Sequence, residues 1–183
     1  MYLKEVKRIP AKSINQSVKD TRNLKVYLVQ DFNPPLLNQI VNFGLNIFGE
    51  LGMDEWGLVP QIRHGNVFLL KRENKIIGLA ILMRDWEDEK KCYLFDYAIA
   101  QDLQGRGLGY EFLLIICKEL QKQGFEEICL TVDVENKPAI KLYQDKLGFK
   151  IVSFSKDEYG KDQDRYIMHL DLDQIEEVLG AAI

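Results

Sequence analysis

Residues 103 to 110 read LQGRGLGY, placing Gly105, Gly107 and Gly109 at alternate positions around Arg106, with only Glu111 between that stretch and the apolar run FLLIIC. Glycines at the mouth of a helix leave successive backbone N–H groups uncovered, and the helix dipole adds positive potential there. Such a place holds phosphate. Arg106 adds a charge-assisted contact or is a solvated turn residue, and the glycines alone also suit a tight turn with left-handed backbone. The spacing Gly-x-Gly-x-Gly fits neither the dinucleotide fingerprint G-x-G-x-x-G nor the triphosphatase pattern G-x-x-x-x-G-K-[ST].

The elements that position this turn are legible. CYLFDYAIA (Cys92 to Ala100) precedes it and reads as a strand buried on both faces, with Asp96 its one charge. After the turn, Leu108, Phe112, Ile115, Ile116 and Leu120 recur at helical spacing, Lys118 and Lys122 occupy the last turns, and Gly124 ends the helix. Upstream come a strand, LKVYLVQD (Leu24 to Asp31), and a helix opened by Asn33-Pro34-Pro35 that carries Leu36, Leu37, Ile40, Val41 and Leu45. NIFGELGMDEWG then reads as an acidic loop, and two strands hinge at Glu73 and Asn74. Downstream, Ile128 to Val134 is a fifth strand, and Asn136 caps a short helix that ends at Gly148. FKIVSFSKDEYG and DRYIMHLDL form a closing hairpin, with DQIEEVLGAAI as a terminal helix. Residues 1–23 read as a solvated N-terminal extension and residues 24–183 as a single α/β domain.

Two motifs then stand in order. Gln104-x-x-Gly107-x-Gly109 follows a strand, and LTVDVENKPAIKLYQDKLGFK supplies Asn136, Ala139, Tyr143, Gly148 and Phe149. Together they resemble the GNAT superfamily of acyl-CoA-dependent N-acyltransferases, over roughly Asn66 to Leu172, with one extra residue before the glycine of the second motif. The resemblance implies an α/β (α+β) GNAT fold, a mixed central sheet of about six to seven strands flanked by helices and splayed between the fourth and fifth strands. It also implies transfer of an acetyl group from acetyl-CoA to a primary amine by direct attack in a ternary complex.

Roles follow from the resemblance, residue by residue. Backbone groups of Tyr97, Ala98 and Ile99 would pair with the pantetheine arm and polarise the thioester oxygen. Gln104, Gly105, Arg106, Gly107, Leu108, Gly109 and Tyr110 would hold the pyrophosphate of coenzyme A. Asn136 would bond the pantetheine, cap its own helix, or do both. Tyr143 lies seven residues on from Asn136, two helical turns, and would protonate the departing sulfur; otherwise it is a core aromatic beside Ile140 and Leu147. One branch of the family keeps a glutamate base five residues before the asparagine, where this chain has Thr131. Asp133 and Asp96 then become the catalytic-base candidates, Asp96 being equally suited to a structural ion pair, with Glu50 and Glu55 as further options. Phe48, Glu50, Asp54, Glu55 and Trp56, in the segment where family members receive their acceptor, suit an amine or simply pack as a surface loop.

Composition excludes other classes. A net charge of -4 gives no long-range attraction to nucleic acid or to an acidic membrane surface. FLLIIC is too short to span a bilayer and the N-terminus has no apolar stretch of signal-peptide length, so the reading is cytoplasmic. His64 and His169 are far apart and Cys92, Cys117 and Cys129 have no C-x-x-C spacing, so no metal is expected. The cysteines sit among apolar residues, as buried thiols would, which leaves no nucleophile for a covalent intermediate. The apolar strand edges of the closing hairpin suit a homodimer. The alternative function is a non-catalytic acyl-CoA-binding sensor, from which Tyr143 separates the enzyme; the motifs are silent on which amine is the acceptor.

Overall fold

The computed structural model describes residues 1–9 and 23–175. Among these, eight strands form a mixed sheet in the order β1-β2-β3-β4-β5-β6-β8-β7. The strand beyond the six or seven expected is β1 (Leu3–Arg8), antiparallel to β2 (Leu24–Val29) with Leu3 opposite Val29. It falls in the segment read from sequence as solvated extension. The reason is a bulge: the register shifts between Glu5 and Lys7, so Leu3 and Val6, three apart, are both half-buried where a regular strand would need a spacing of two. Residues 10–22 of that extension and 176–183 of the expected terminal helix lie outside the described residues.

One compact unit comprises Met1–Met83 with Asp96–Ile116. Here β1 and β2 continue antiparallel into β3 (Asn66–Arg72) and β4 (Lys75–Arg84), and the β3–β4 turn is closed by Glu73 at φ 54. The far end of β5 (Lys91–Ile99) is tied to β4 where the Ala100 N–H donates to the Ile77 carbonyl at 2.9 Å. Helix α1 (Pro34–Phe48) starts at Asn33, whose side chain accepts the Leu36 N–H at 3.0 Å, and buries Ile40 and Val41 against the core residues Val67 and Leu79. A second helix, α2 (Glu55–His64), begins inside the segment expected as an acidic loop. Gly57 and Pro60 break its helical pattern in the sequence, yet Asp54 caps the Gly57 N–H at 2.9 Å and Leu58 and Ile62, one turn apart, are buried.

The other unit comprises Arg84–Phe95 with Cys117–Ile183. Its part of β5 runs parallel to β6 (Glu127–Asp133), pairing Lys91 with Glu127, Cys92 with Ile128 and Tyr93 with Cys129. There the ladder stops, although β5 continues to Ile99 and β6 to Asp133. The pairing ends within the region where a splay between the fourth and fifth strands is expected. β8 (Arg165–Asp171) lines the other side of β6 from end to end, and β7 (Lys150–Ser155) pairs with β8 at the sheet edge. Helix α3 (Leu108–Lys122) begins in the first unit and ends in the second. No helix among the described residues is long and apolar enough to cross a membrane.

Candidate active site

The glycine turn is built as a cradle. β5 ends at Ile99, a single 3₁₀ turn spans Gln101–Leu103, and the Gln104 side-chain amide reaches back to donate to the Ile99 carbonyl at 3.0 Å. Gly105 and Gly107 then take φ of 72 and 83, the left-handed region that only glycine enters cheaply, while a β-carbon at either would meet nothing within 4 Å. Backbone conformation, not crowding, is what requires glycine here. The Gly107 carbonyl accepts the Glu111 N–H at 3.1 Å, which sets Gly107 at the start of α3. The first N–H groups of the helix, at Leu108, Gly109 and Tyr110, lie ahead of that ladder and suit an anion. Tyr97 fixes the helix start: its hydroxyl donates to the Gly109 carbonyl and its ring stacks on Phe112 at 5.7 Å. Arg106 is half-buried beside the glycines, and Ala98 and Ile99 are buried strand residues. Burial pushes the Tyr110 phenol up, with the neighbouring Glu111 charge adding to it.

Asp96, in the same unit, lines a small cavity of about 10 Å³ with Val41, Met53, Leu58, Leu79 and Ile81. That is room for about one water. The apolar surroundings desolvate the carboxylate and raise its pKa to about 6. Asp54, expected at an acceptor loop, spends its side chain capping α2, while Glu50, Glu55 and Trp56 stand at the surface, Trp56 being 88% exposed.

In the second unit Asn136 caps α4 (Lys137–Ile140), its Oδ1 accepting the Ala139 N–H at 3.2 Å. The helix does not continue as α. Lys141–Lys146 is a π-helical segment, which takes up the extra residue of the second motif, and Phe149 still closes back with its N–H on the Tyr143 carbonyl at 2.9 Å. Tyr143 lies inside that segment, so α-helical spacing from Asn136 no longer describes its direction. Its ring is 8% exposed, 5.5 Å from that of Phe149, and burial pushes its phenol well above the ordinary range.

Asp133 is committed elsewhere: one carboxylate oxygen lies 3.0 Å from Arg165 Nη1 and the other accepts the Glu135 N–H at 2.8 Å. Next to it is a feature that sequence reasoning missed. Thr131 Oγ1 is 3.0 Å from the Tyr93 hydroxyl and 3.1 Å from that of Tyr159, and the two phenols are 3.1 Å apart, closing a ring of three hydroxyls. Burial favours the protonated thiols, raising Cys117 to about 12 and pushing Cys92 and the half-buried Cys129 above their usual range. No group of three or more metal-ligating side chains occurs among the described residues.

The model of the acetyltransferase (GNAT) family matches residues 37–149. An N-alpha-acetyltransferase of Sulfurisphaera tokodaii is 35% identical over 80 residues, covering 43% of this chain and 47% of its own length, so the chain spans about half of that curated relative. The crystal structure of the ribosomal-protein-S18-alanine N-acetyltransferase of Escherichia coli shares the fold, with a TM-score of 0.65 at 23% identity over 80% of this chain and 94% of that one. A Bacillus subtilis acetyltransferase in complex with CoA does so at a TM-score of 0.62 and 16% identity, over 81% of this chain and 99% of the other.

Proposed function

The chain belongs to the acetyltransferase (GNAT) family, and on that premise we propose that it transfers an acetyl group from acetyl-CoA to the α-amino group of a polypeptide. The observation that carries the reading is the turn between β5 and α3, where two left-handed glycines and the uncovered helix N-terminus follow a strand whose parallel ladder has already ended. These residues fit coenzyme A. The N–H groups from Gly105 to Tyr110, with Arg106, would hold the pyrophosphate, and Gln104 keeps the turn in place through Ile99. Main-chain groups of Tyr97, Ala98 and Ile99, beyond the last β6 pair, would bond the pantetheine amides as a neighbouring strand does. When bound, acetyl-CoA supplies the thioester whose carbonyl carbon the amine attacks.

Proton handling falls to this chain's own side chains. An α-ammonium of pKa about 7.7–8.0 must lose a proton before attack. Asp96, with a pKa of about 6 in an apolar cavity, is the carboxylate suited to take it, whereas Asp133 is neutralised by Arg165 and serves to fix the end of β6. Tyr143, kept protonated by burial, would donate to the departing sulfur, and Asn136 retains its amide N–H groups for the pantetheine while its oxygen caps α4. The names of the Sulfurisphaera and Escherichia coli proteins support an α-amino acceptor. Mass spectrometry of a free-amine peptide incubated with enzyme and acetyl-CoA tests the assignment: an acetyl group on the N-terminal nitrogen is expected, and an unmodified peptide panel would refute it.

A further inference from the structure

In the first unit, cations stand in register at one end of the sheet. Arg8 on β1 lies opposite Lys25 on β2, and Lys25 lies opposite Lys71 on β3. One step further out, Arg72 on β3 lies opposite Lys75 on β4, the pair that flanks the Glu73-Asn74 turn. The two rows face opposite sides of the sheet. Leu69 belongs to the core formed with α1 and α2, so Lys71, two residues on, shares that side and Arg72 points the other way. Tyr97 marks what lies on that other side: it follows Asp96, which faces the cavity beside α1, and its ring stacks on Phe112 of α3. Arg72 and Lys75 therefore stand on the α3 side. They also stand where the glycine turn begins, because β4 starts where β5 ends and the Ile77 carbonyl accepts the Ala100 N–H at 2.9 Å. Lys75 is about 7 Å past that bond and one strand over, about 4.8 Å away. Gln104, held at 3.0 Å on the Ile99 carbonyl, brings the start of the cradle back to the same strand end.

Like charges directly opposite one another destabilise a strand pair. On the α1 side the row is relieved: Lys25 is 2.6 Å from Glu5, and Lys71 lies over the Tyr27 ring at 6.0 Å. Among the described residues no carboxylate pairs with Arg72 or Lys75, and the two carboxylates of this end, Glu73 in the turn and Asp102 in the 3₁₀ turn, are exposed. Resting on the acetyl-CoA reading above, we propose that Arg72 and Lys75 form a second phosphate site, which takes the 3′-phosphate of the coenzyme A ribose while the glycine turn takes the pyrophosphate. Coenzyme A carries these two anionic groups separately, and the N–H groups from Gly105 to Tyr110 with Arg106 account for one of them. The 3′-phosphate is close to a dianion at neutral pH, with three acceptor oxygens. The Arg72 guanidinium offers it a fork of donors and the Lys75 ammonium a compact charge. Their β-carbons are about 5 Å apart as a cross-strand pair, so one phosphate between the side chains can accept from both. The turn that holds them is short and closed by Glu73 at φ 54, which keeps the two cations together before any anion arrives.

The test is calorimetry with coenzyme A and with 3′-dephospho-coenzyme A, which differ only in that phosphate. It compares the wild-type chain with Arg72→Gln, Lys75→Gln and the double variant, each checked by a thermal melt. The wild type binds coenzyme A about tenfold more tightly than the dephospho form, the size of one charge-assisted contact. Each single variant lowers that preference to about threefold and the double variant abolishes it, while affinity for the dephospho form changes less than about twofold. Lys71→Gln, one residue away on the other face, keeps the full preference, which separates a local contact from the general field of the basic strand ends. No preference in the wild type, an equal loss for both ligands in the variants, or the same loss in Lys71→Gln overturns the proposal. A wild type that binds neither ligand would instead overturn the cofactor reading on which it stands.

Discussion

The Gln104 side-chain amide donates to the Ile99 carbonyl at 3.0 Å, joining the first residue of the glycine motif to the last residue of β5. The glutamine therefore acts on the cradle from behind, fixing where the turn leaves the strand. Gln104→Ala removes a hydrogen bond of about 1 kcal/mol, so we expect the acetyl-CoA KM to rise roughly fivefold with kcat little changed. Steady-state kinetics with varied acetyl-CoA checks this; an altered kcat at constant KM would place Gln104 in the chemistry instead.

Gly107 has φ 83, and a non-glycine residue held there costs about 1–2 kcal/mol. Open space around its Cα means the fold survives substitution. Gly107→Glu adds a negative charge to that strain where a pyrophosphate would sit, and calorimetry is expected to show no coenzyme A binding by a protein with a near-normal melting curve. Retained affinity would locate the phosphates elsewhere.

Asp96 has a folded pKa of about 6, above the roughly 3.9 of an unfolded aspartate. Between those values the folded chain binds more protons than the unfolded one, so Asp96 lowers stability as pH rises from about 4 to 6 and its penalty is complete above that. Asp96→Asn should therefore raise the melting temperature by a few degrees at pH 7.5, about 2–4 °C per kcal/mol, and leave it nearly unchanged near pH 4. The same variant should lose roughly 10²-fold in kcat and the acid limb of the pH–rate profile near pH 6. A wild-type profile in Asp96→Asn would exclude it as the base.

Tyr143→Phe keeps the ring packed on Phe149 and deletes the proposed proton donor. Turnover is expected to fall roughly 10²-fold with acetyl-CoA affinity unchanged, measured by thiol release and by calorimetry. Full activity in the variant would remove the phenol from the mechanism.

Where the sequence was legible, the signal was local. Apolar residues at helical spacing behind three glycines announced α3 and its turn, and Asn136 announced its own cap. The π-helical segment was visible only as one surplus residue before Gly148, because residue count does not specify how a helix absorbs an insertion. Helix α2 was hidden by Gly57 and Pro60, and β1 by its bulge. Missing α2 also hid the environment of Asp96, since Leu58 helps to wall its cavity. Least legible were pairings between distant residues: Arg165 neutralises Asp133, and Tyr93, Thr131 and Tyr159 meet across separations of 38, 28 and 66 residues. No spacing rule reaches that far.

The central claim is that this chain moves an acetyl group onto an α-amino nitrogen. Thiol release from acetyl-CoA, followed in parallel with a free-N-terminus peptide, the same peptide N-terminally blocked but containing lysine, and no peptide, tests it most directly. We predict release with the free peptide only, matched mole for mole by N-terminal acetylation. Equal release in all three, or none in any, would contradict the account.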